Sequence, residues 1–184
     1  MDKDPDQALL ERFRGGDRAA FATLVARYQR PIYNAAYRVL GNSDDAADTT
    51  QAVFLKVAEK SDGYDPRFKF FSWLYRIAVN ESINLLRRNG REEPLDDEVD
   101  LPGAESANPE VQLNEAQLSR RVQEALMGMK ADDRVVIALR HFSECSYQEI
   151  SLILDLDERT VKSRLFEARN RLRGLLKDLR ESPT

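Results

Sequence analysis

The sequence has little of what most catalytic sites require, with one cysteine and one histidine among its 184 residues. Cys145 has no partner for an intrachain disulfide, and together with His141 it supplies too few ligands or nucleophiles for most metal sites and thiol or imidazole catalysts. Long hydrophobic runs are absent too, since 33% of the residues are charged and no stretch approaches the ~20 apolar residues that span a bilayer. These absences predict a protein without a metal, a cofactor, enzymatic activity or a membrane partner.

The first residues lack an export signal. Met1 is followed by Asp2, Lys3, Asp4 and Pro5 instead of a basic start and an apolar run. We therefore expect a cytoplasmic protein without disulfides.

The charge of the chain is segregated along its length. The formal net charge is only −4, but residues 91–110 carry eight acidic residues against one basic residue, whereas residues 158–180 carry eight basic residues against three acidic ones. The acidic stretch also contains three prolines and no helical period, so it cannot bury enough surface to offset its ordering entropy. It is predicted to be an acidic linker, residues 91–110, between one domain at 1–90 and another at 111–184.

Apolar residues recur with helical spacing on both sides of this linker. No useful length of sequence alternates with period two, so the predicted fold is all-α, with two helical domains joined by a flexible acidic linker. Gly15, Gly16 and Asp17, then Pro31, then Gly41 are predicted to mark helix ends or turns in the first forty residues. Later helices are predicted near 44–60, 71–88, 111–129, 131–140, 147–154 and 159–179.

Residues 146–165 have the pattern of a helix-turn-helix, in which a short helix, a tight turn and a basic helix follow one another. Its apolar positions are expected to pack the two helices together, and its basic positions to point outward. The first turns of such a second helix fit the major groove of duplex DNA. The alternative is a solvated basic helix in an ordinary bundle. The apolar positions are Ile150, Leu154, Leu156, Val161 and Leu165, and the outward ones are Arg159, Lys162, Ser163 and Arg164.

A second pattern combines aromatic residues with cations. Residues 63–78 contain six aromatic residues and three cations. Unstacked bases of single-stranded nucleic acid bind such surfaces, because base stacking on an aromatic ring is worth ~1–3 kcal/mol. The helically spaced positions in 71–78 are expected to be core, whereas Tyr64, Phe68 and Lys69 precede the helix in a loop and are predicted to contact the ligand.

With these motifs in this order, the chain resembles the extracytoplasmic-function (ECF) sigma factors, the minimal sigma subunits of bacterial RNA polymerase. Residues 9–37 resemble the opening helices of the family, and residues 45–54 resemble its core-polymerase-binding helix. Residues 71–80 are similar to the segment that melts and reads the promoter −10 element, and residues 146–173 to the domain that reads the −35 element. The resemblance implies a non-catalytic subunit that directs core RNA polymerase to promoters, in a stress or signalling response.

The resemblance also assigns residues to partners by position. The −10 element would contact Tyr64, Phe68, Lys69 and Asn80. The −35 element would contact Arg159, Thr160, Lys162, Ser163, Arg164, Phe166 and Glu167. Core RNA polymerase would bind with its clamp at Asp45, Asp48, Gln51, Ala52 and Leu55, and with its flap at the second domain.

The polymerase-binding helix departs from the family pattern. Relatives usually have acidic residues at the positions of Ala47 and Ala52, and apolar ones at Thr49 and Thr50, so the clamp-facing charge is depleted. A phosphate adds about −1.5 to −2 charges. The resemblance to ECF factors that lack these carboxylates predicts that a Ser/Thr kinase modifies Thr49 or Thr50. Helix geometry places Thr49 nearer the polar face and predicts that it is the exposed one.

Two alternatives remain open at this level. Thr49 and Thr50 are equally compatible with a constitutively weak factor, or with one held by an anti-sigma factor. The helix-turn-helix is also compatible with a stand-alone transcriptional regulator whose N-terminal half is a dimerisation or ligand-binding domain.

Overall fold

The computed structural model describes residues 4–90 and 109–181, with side chains over 4–90 and 117–177, and contains no strand within them. The predicted all-α class is therefore confirmed. A 3-10 turn, Ser61–Gly63, follows α3, and a π-helical turn, Ala138–Phe142, follows α6. The helices are α1 (Pro5–Arg14), α2 (Arg18–Leu40), α3 (Ser43–Lys60), α4 (Phe70–Arg88), α5 (Pro109–Met127), α6 (Ala131–Ile137), α7 (Tyr147–Leu154) and α8 (Glu158–Glu181).

Polar caps and a glycine set the ends of the first helices. The Asp17 side chain accepts hydrogen bonds from two backbone N–H groups in the first turn of α2, which have no partner within the helix. Gly41 ends α2 with a φ of 76°, a left-handed conformation that glycine adopts readily because it has no Cβ. Asn42 then caps α3 by accepting a hydrogen bond from the N–H of Asp45 at 2.9 Å.

α2 runs through Pro31 without a break, so the prediction that Pro31 marks a helix end or turn is wrong. Proline cannot donate to the carbonyl four residues earlier, that of Arg27, and an interior proline typically costs a helix ~3 kcal/mol. Pro31 and Arg27 both lie on the exposed side of α2, where water can reach the carbonyl, while Leu24 and Ile32 are buried on the other side. Burial of the apolar side therefore overrides the local signal.

The N-terminal bundle, residues 4–90, is built around α2, α3 and α4. Leu24, Val53 and Leu74 are buried where these helices meet, and full burial of such a side chain contributes ~1.5–3 kcal/mol. α1 packs across α2, where the buried carboxylate of Asp6 accepts hydrogen bonds from Arg27 and Tyr28. This packing fixes the exposed faces of α3 and α4.

The C-terminal bundle, residues 109–181, has its own apolar cluster between α5, α6 and α8. Leu126, Val136 and Ile137 are buried in it together with Leu165 and Ala168 of α8. One side of α8 is therefore held in the bundle, and the other side faces outward.

The two bundles pack against each other. Tyr75 and Val79 of α4 belong to the same continuous buried cluster as Ile150 and Ile153 of α7. The chain thus adopts a closed arrangement in which α4 and the helix-turn-helix face each other across a cleft.

Most predicted helix boundaries agree with the structure within two residues, and α7 begins and ends where it was predicted. α5 begins at Pro109, so the last two residues of the predicted linker are helical. The rest of that linker, residues 91–108, lies outside the described residues, and the domain bounds of 1–90 and 111–184 remain a prediction.

Candidate functional site

α7 and α8 form a helix-turn-helix with well-defined caps. α7 begins with a capping box, in which Ser146 Oγ accepts from the N–H of Glu149 at 3.1 Å and the Glu149 carboxylate accepts from the N–H of Ser146 at 2.9 Å. Asp155 ends α7 in a left-handed conformation with a φ of 55°. Asp157 then caps α8 by accepting from the N–H of Thr160 at 2.8 Å.

The packing of these helices determines which side of α8 faces outward. Ile150, Val161 and Leu165 are buried between them, and Leu154 and Leu156 are half-buried. The opposite side of α8 carries an exposed, mainly polar surface that includes Phe166, whose side chain is 67% exposed. The predicted −35 residues on this exposed surface are Arg159, Lys162, Ser163, Phe166 and Glu167.

Two predicted −35 residues have other contacts in this structure. Thr160 is half-buried, and its hydroxyl donates to the Asp157 carboxylate at 2.6 Å, so it takes part in the cap of α8. Arg164 is also half-buried, and its Nη1 lies 4.0 Å from Oδ2 of Asp132 on α6. Both residues lie at the edge of the exposed surface.

Tyr64 organises the loop before α4 from inside. It is only 5% exposed, and its hydroxyl donates to the carbonyl of Phe68. Its ring lies 6.2 Å from that of Phe70 and 5.2 Å from that of Trp73 between centroids. Burial raises the pKa of Tyr64 to about 12. The prediction that Tyr64 belongs to the contact surface of this loop is therefore wrong in this structure, because its ring completes the core.

Phe68 and Lys69 lie at the surface of the same loop. Phe68 is among the exposed large apolar side chains, and the Lys69 ammonium lies 3.3 Å from the Glu149 carboxylate of α7. Arg67 and Asp65 form an ion pair of 2.6 Å at the outer edge of the loop. An aromatic ring and a cation are thus presented side by side.

Asn80 is exposed on α4 and faces the cleft between the two bundles. A cavity of about 360 Å³ is lined by Asn80 and Arg164 together. A second cavity, of about 630 Å³, is lined by Phe68, Trp73 and Arg76 on one side and by the turn of the helix-turn-helix on the other. The cleft therefore brings predicted −10 and −35 residues into one place.

α3 presents a strip of predicted polymerase-binding residues on its exposed side. Asp48 and Gln51 are exposed, and Leu55 is 64% exposed. Asp45 and Ala52 are half-buried at the edges of the strip. An exposed leucine among polar residues suits contact with another protein.

Thr49 and Thr50 are both buried, at 4% and 9% exposure. The prediction that Thr49 is the exposed one is wrong, because α3 packs against both α2 and α4 and its buried stripe is wide enough to include Ala46, both threonines and Val53. The Thr50 hydroxyl also donates to the carbonyl of Ala46 at 2.7 Å.

Contacts between the bundles use arginines to which the sequence assigned no role. Arg76 of α4 donates to two carbonyls near the C-terminal end of α7, at 2.8 and 3.3 Å. Arg38 of α2 donates to Gln123 Oε1 of α5 at 3.1 Å, and its guanidinium lies 4.3 Å from the ring centroid of Phe142. Arg76 was visible in the sequence as a cation among aromatic residues, but nothing local indicated its carbonyl partners.

Within the part of the chain that the structure describes, no three His, Cys, Asp or Glu side chains gather where they could hold a metal ion. Cys145 is buried, and that burial raises the pKa of its thiol to about 12. The exposed His141 accepts a hydrogen bond from Arg169 at 3.1 Å. No helix among the described residues has the length and apolar character needed to cross a membrane.

Comparison with protein families gives two matches. The profile of Sigma-70 region 2 matches residues 24–92, and that of Sigma-70, region 4 matches residues 119–172. The chain is 35% identical over 179 residues to the ECF RNA polymerase sigma factor SigW of Bacillus subtilis (strain 168), covering 92% of this chain and 96% of that protein. It is 37% identical over 174 residues to the ECF RNA polymerase sigma-E factor of Escherichia coli (strain K12), covering 89% and 90%.

Solved structures are similar over both bundles. CnrH in complex with the cytosolic domain of CnrY matches with a TM-score of 0.70 and 25% identity, covering 98% of this chain and 100% of that one. The sigma factor RpoE in complex with the anti-sigma factor NepR from Bartonella quintana matches with a TM-score of 0.69 and 27% identity, covering 85% and 96%.

Proposed function

The chain belongs to the sigma-70 family, in its ECF group, and from this premise we propose that residues 1–90 bind core RNA polymerase and the −10 element while residues 111–184 recognise the −35 element. As an ECF sigma factor it functions in transcription initiation and is not an enzyme. The observation that best supports this assignment of promoter elements is the exposed polar side of α8, which a well-packed helix-turn-helix presents at the surface. Residues 91–110 link the two parts.

The −35 surface is the exposed side of α8. Arg159 and Lys162 would contact phosphates. Phosphate contacts position a protein on duplex DNA, whereas contacts to base edges provide the sequence information. The Glu167 carboxylate can accept from the N4 amino group of cytosine, and Phe166 can contact a thymine methyl group. Thr160 acts indirectly, because its hydroxyl belongs to the cap that starts α8.

The −10 surface consists of Phe68, Lys69 and Asn80. The exposed ring of Phe68 can stack on an unpaired base, and the neighbouring cation can neutralise the charge of the single-stranded backbone. Asn80 can form hydrogen bonds with a base edge. Tyr64 is a positioning residue, since its hydroxyl holds the carbonyl of Phe68 from inside the loop.

Core RNA polymerase would bind at two places. The strip of Asp48, Gln51 and Leu55 on α3 suits the clamp, with Leu55 as an apolar anchor. A shallow cavity of about 540 Å³ on the C-terminal bundle, lined by residues that include Phe142 and Leu172, suits the flap. The two sites lie on different bundles.

An anti-sigma factor is a further proposed partner. CnrH is described in complex with the cytosolic domain of CnrY, and RpoE of Bartonella quintana in complex with the anti-sigma factor NepR. The similarity of this chain to both extends over at least 85% of its length.

Regulation by a Ser/Thr kinase at Thr49 or Thr50 is proposed as well. This proposal is supported by the absence of acidic side chains at Ala47 and Ala52 on the clamp-facing helix, where relatives usually have them. A phosphate adds about −1.5 to −2 charges and would replace that negative charge. Both hydroxyls are buried, so modification requires α3 to open locally, and the charged product cannot return to the apolar core. Phosphorylation would therefore change the surface of α3 as well as its charge.

Core-polymerase affinity before and after kinase treatment tests this switch. The threonine variants Thr49→Ala and Thr50→Ala are compared with Thr23→Ala, an exposed threonine on α2. We expect treatment to raise the affinity of the unsubstituted protein and of the Thr23 variant, but not of the variant that lacks the modified residue. Strong binding by the untreated protein would contradict the switch.

Promoter selection tests the function itself. Core polymerase plus the protein is incubated with a template pool randomised at both promoter elements, and run-off transcripts are sequenced. Glu167→Gln should change the selected −35 sequence only, whereas Asn80→Ala should lower the permanganate reactivity of the −10 region. Asn170→Ala, exposed on α8, serves as the control. The proposal fails if no transcripts depend on the protein, or if Glu167→Gln selects the same −35 sequence.

A further inference from the structure

The start of α4 follows directly after Phe68 and Lys69 of the proposed −10 surface. Lys69 is the N-cap residue of α4, and its side chain makes no capping hydrogen bond. An ammonium group donates hydrogen bonds and accepts none, so lysine cannot satisfy the free N–H groups of a first helical turn. Its positive charge also lies at the positive end of the helix dipole. The residue type that suits contact with DNA is therefore unsuited to begin a helix.

A carboxylate from another part of the chain caps α4 instead. Asp4 immediately precedes α1, and its Oδ2 accepts a hydrogen bond from the N–H of Phe70, the first residue of α4, at 3.1 Å. The two residues are 66 positions apart in the sequence. The negative charge of Asp4 lies at the positive end of the α4 dipole, where it also offsets the charge of Lys69.

The other oxygen of Asp4 caps α1. Oδ1 accepts from the N–H of Asp6 at 3.1 Å, in the first turn of that helix. The side chain of Asp6 is buried and accepts from Arg27 and Tyr28 of α2. Asp4 thus joins the start of α4 to a segment that is itself anchored on α2.

This position uses both oxygens of a short carboxylate. Each oxygen of Asp4 accepts from a different helix, Oδ1 from α1 and Oδ2 from α4. Asparagine presents an NH₂ group in place of one oxygen, and that group donates instead of accepting. In this geometry asparagine can keep only one of the two hydrogen bonds.

Asp4 lies beside the −10 surface. Asp4, Phe68 and Lys69 line one cavity of about 770 Å³. The ring of Phe70 is buried, and its centroid lies 5.7 Å from that of Tyr28. The core therefore holds the Phe70 side chain while Asp4 holds its N–H group, and loss of the hydrogen bond should loosen the start of α4 without unfolding the bundle.

We propose that Asp4 is a positioning residue for the −10 surface, because its carboxylate provides the cap that Lys69 cannot provide and so fixes the backbone that presents Phe68 and Lys69. The protein can then keep a cation at the N-cap position of α4 without fraying of that helix. This inference rests on the proposed function, since it concerns how the same −10 surface is held in place.

Three variants separate positioning from general stability. Asp4→Ala removes both hydrogen bonds, and Asp4→Asn keeps one of them. The matched control is Asp17→Ala, because Asp17 also accepts two backbone hydrogen bonds, from Ala19 and Ala20, and follows the opposite end of α1. Circular dichroism verifies that all variants fold, and thermal denaturation compares their stabilities.

Two measurements on the free protein follow the start of α4. In Asp4→Ala, amide hydrogen exchange at Phe70, measured by NMR, should become about 2- to 30-fold faster, the range that corresponds to loss of a helix cap. Asp4→Asn should show a smaller increase. The fluorescence of Trp73, the single tryptophan of the chain, should also change, since its ring lies 6.0 Å from that of Phe70 between centroids. Asp17→Ala should match the unsubstituted protein in both measurements.

Promoter opening tests the consequence for function. Core RNA polymerase is saturated with each protein on a promoter selected by the unsubstituted protein, and the permanganate reactivity of the −10 region is measured. Reactivity should be lower in Asp4→Ala than in Asp17→Ala, with the polymerase affinity of the two variants equal, because only Asp4→Ala releases Phe68 and Lys69.

Two results would overturn the proposal. One is equal exchange at Phe70 in Asp4→Ala and Asp17→Ala, and the other is equal reactivity of the −10 region in these two variants. The exchange and fluorescence measurements need neither polymerase nor promoter. Faster exchange at Phe70 in Asp4→Ala, without protein-dependent transcripts even from the unsubstituted protein, would support the cap of α4 and reject the proposed function.

Discussion

Replacing Arg134 with methionine should stabilise the protein. Arg134 is 0% exposed, and among the described side chains its Nη1 donates to the sulfur of Met127, at 3.3 Å. Its Nε and Nη2 are buried without a hydrogen-bond partner among the described residues. Burial lowers the pKa of Arg134 from 12.5 to about 10. A buried cation with few hydrogen-bond partners destabilises the folded state. Replacing it with an apolar side chain of similar volume removes that cost.

The magnitude follows from the change in pKa. One pKa unit corresponds to ~1.4 kcal/mol, so a shift from 12.5 to about 10 means that burial of this charge costs ~3 kcal/mol. The methionine variant loses the hydrogen bond to Met127, and its side chain does not fill the site exactly as arginine does. Both differences reduce the expected stabilisation. We expect a net increase in the free energy of unfolding of ~1–3 kcal/mol at neutral pH.

Urea denaturation followed by circular dichroism measures the effect. With an m-value of ~2–3 kcal/mol per molar urea, the midpoint should rise by ~0.3–1.5 M. Arg120→Met, an exposed arginine on α5, is the matched control and should change stability by less than ~0.5 kcal/mol. Because the pKa of Arg134 is lowered in the folded state, its penalty is present at neutral pH and declines as the pH rises through 10, and the advantage of methionine should shrink there. A midpoint equal to or below that of the control would refute the reasoning.

Three further outcomes are expected. Gly41→Ala should lower the melting temperature and widen the distance between the bundles, because its Cβ meets the Met127 sulfur at 2.3 Å, and adding Met127→Ala should restore the short distance. Leu55→Asp should weaken core-polymerase binding at least tenfold in a pull-down titration with helicity unchanged, since a residue 64% exposed contributes little to the fold. Tyr64→Phe should reduce permanganate reactivity at the −10 region without changing polymerase affinity, because only the hydroxyl that holds the Phe68 carbonyl is lost; an equal loss of affinity would show that the hydroxyl stabilises the whole bundle.

The helix-turn-helix was predictable because its signals are local. Ser146 and Glu149 stand three residues apart as a capping box requires, and Asp157 precedes α8 as a cap. The apolar spacing then predicts which side of α8 is buried, and Ile150 and Val161 are buried accordingly.

The positions that were predicted wrongly depend on neighbours that the local pattern does not show. Helical periodicity identifies one apolar face, but α3 lies between two helices, so its buried stripe is wide enough to take Thr49. The ring of Tyr64 fills a space beside Trp73 that exists only once α4 has packed. The contacts of Lys69 and Arg76 join residues 80 and 76 positions apart, a separation that carries no periodic signal.

Because Cys145 is buried, the reactivity of its thiol can report how often the two bundles separate. The thiol lies in the buried cluster that α4 and α7 share, and burial raises its pKa to about 12, so alkylating reagents meet neither an accessible nor an ionised sulfur while the cleft is closed. When opening and closing are fast relative to alkylation, the rate of modification equals the open fraction multiplied by the intrinsic reactivity of an exposed thiol. Since the sequence contains no other cysteine, the mass of the unsubstituted protein recorded over time would report that fraction without any engineered label.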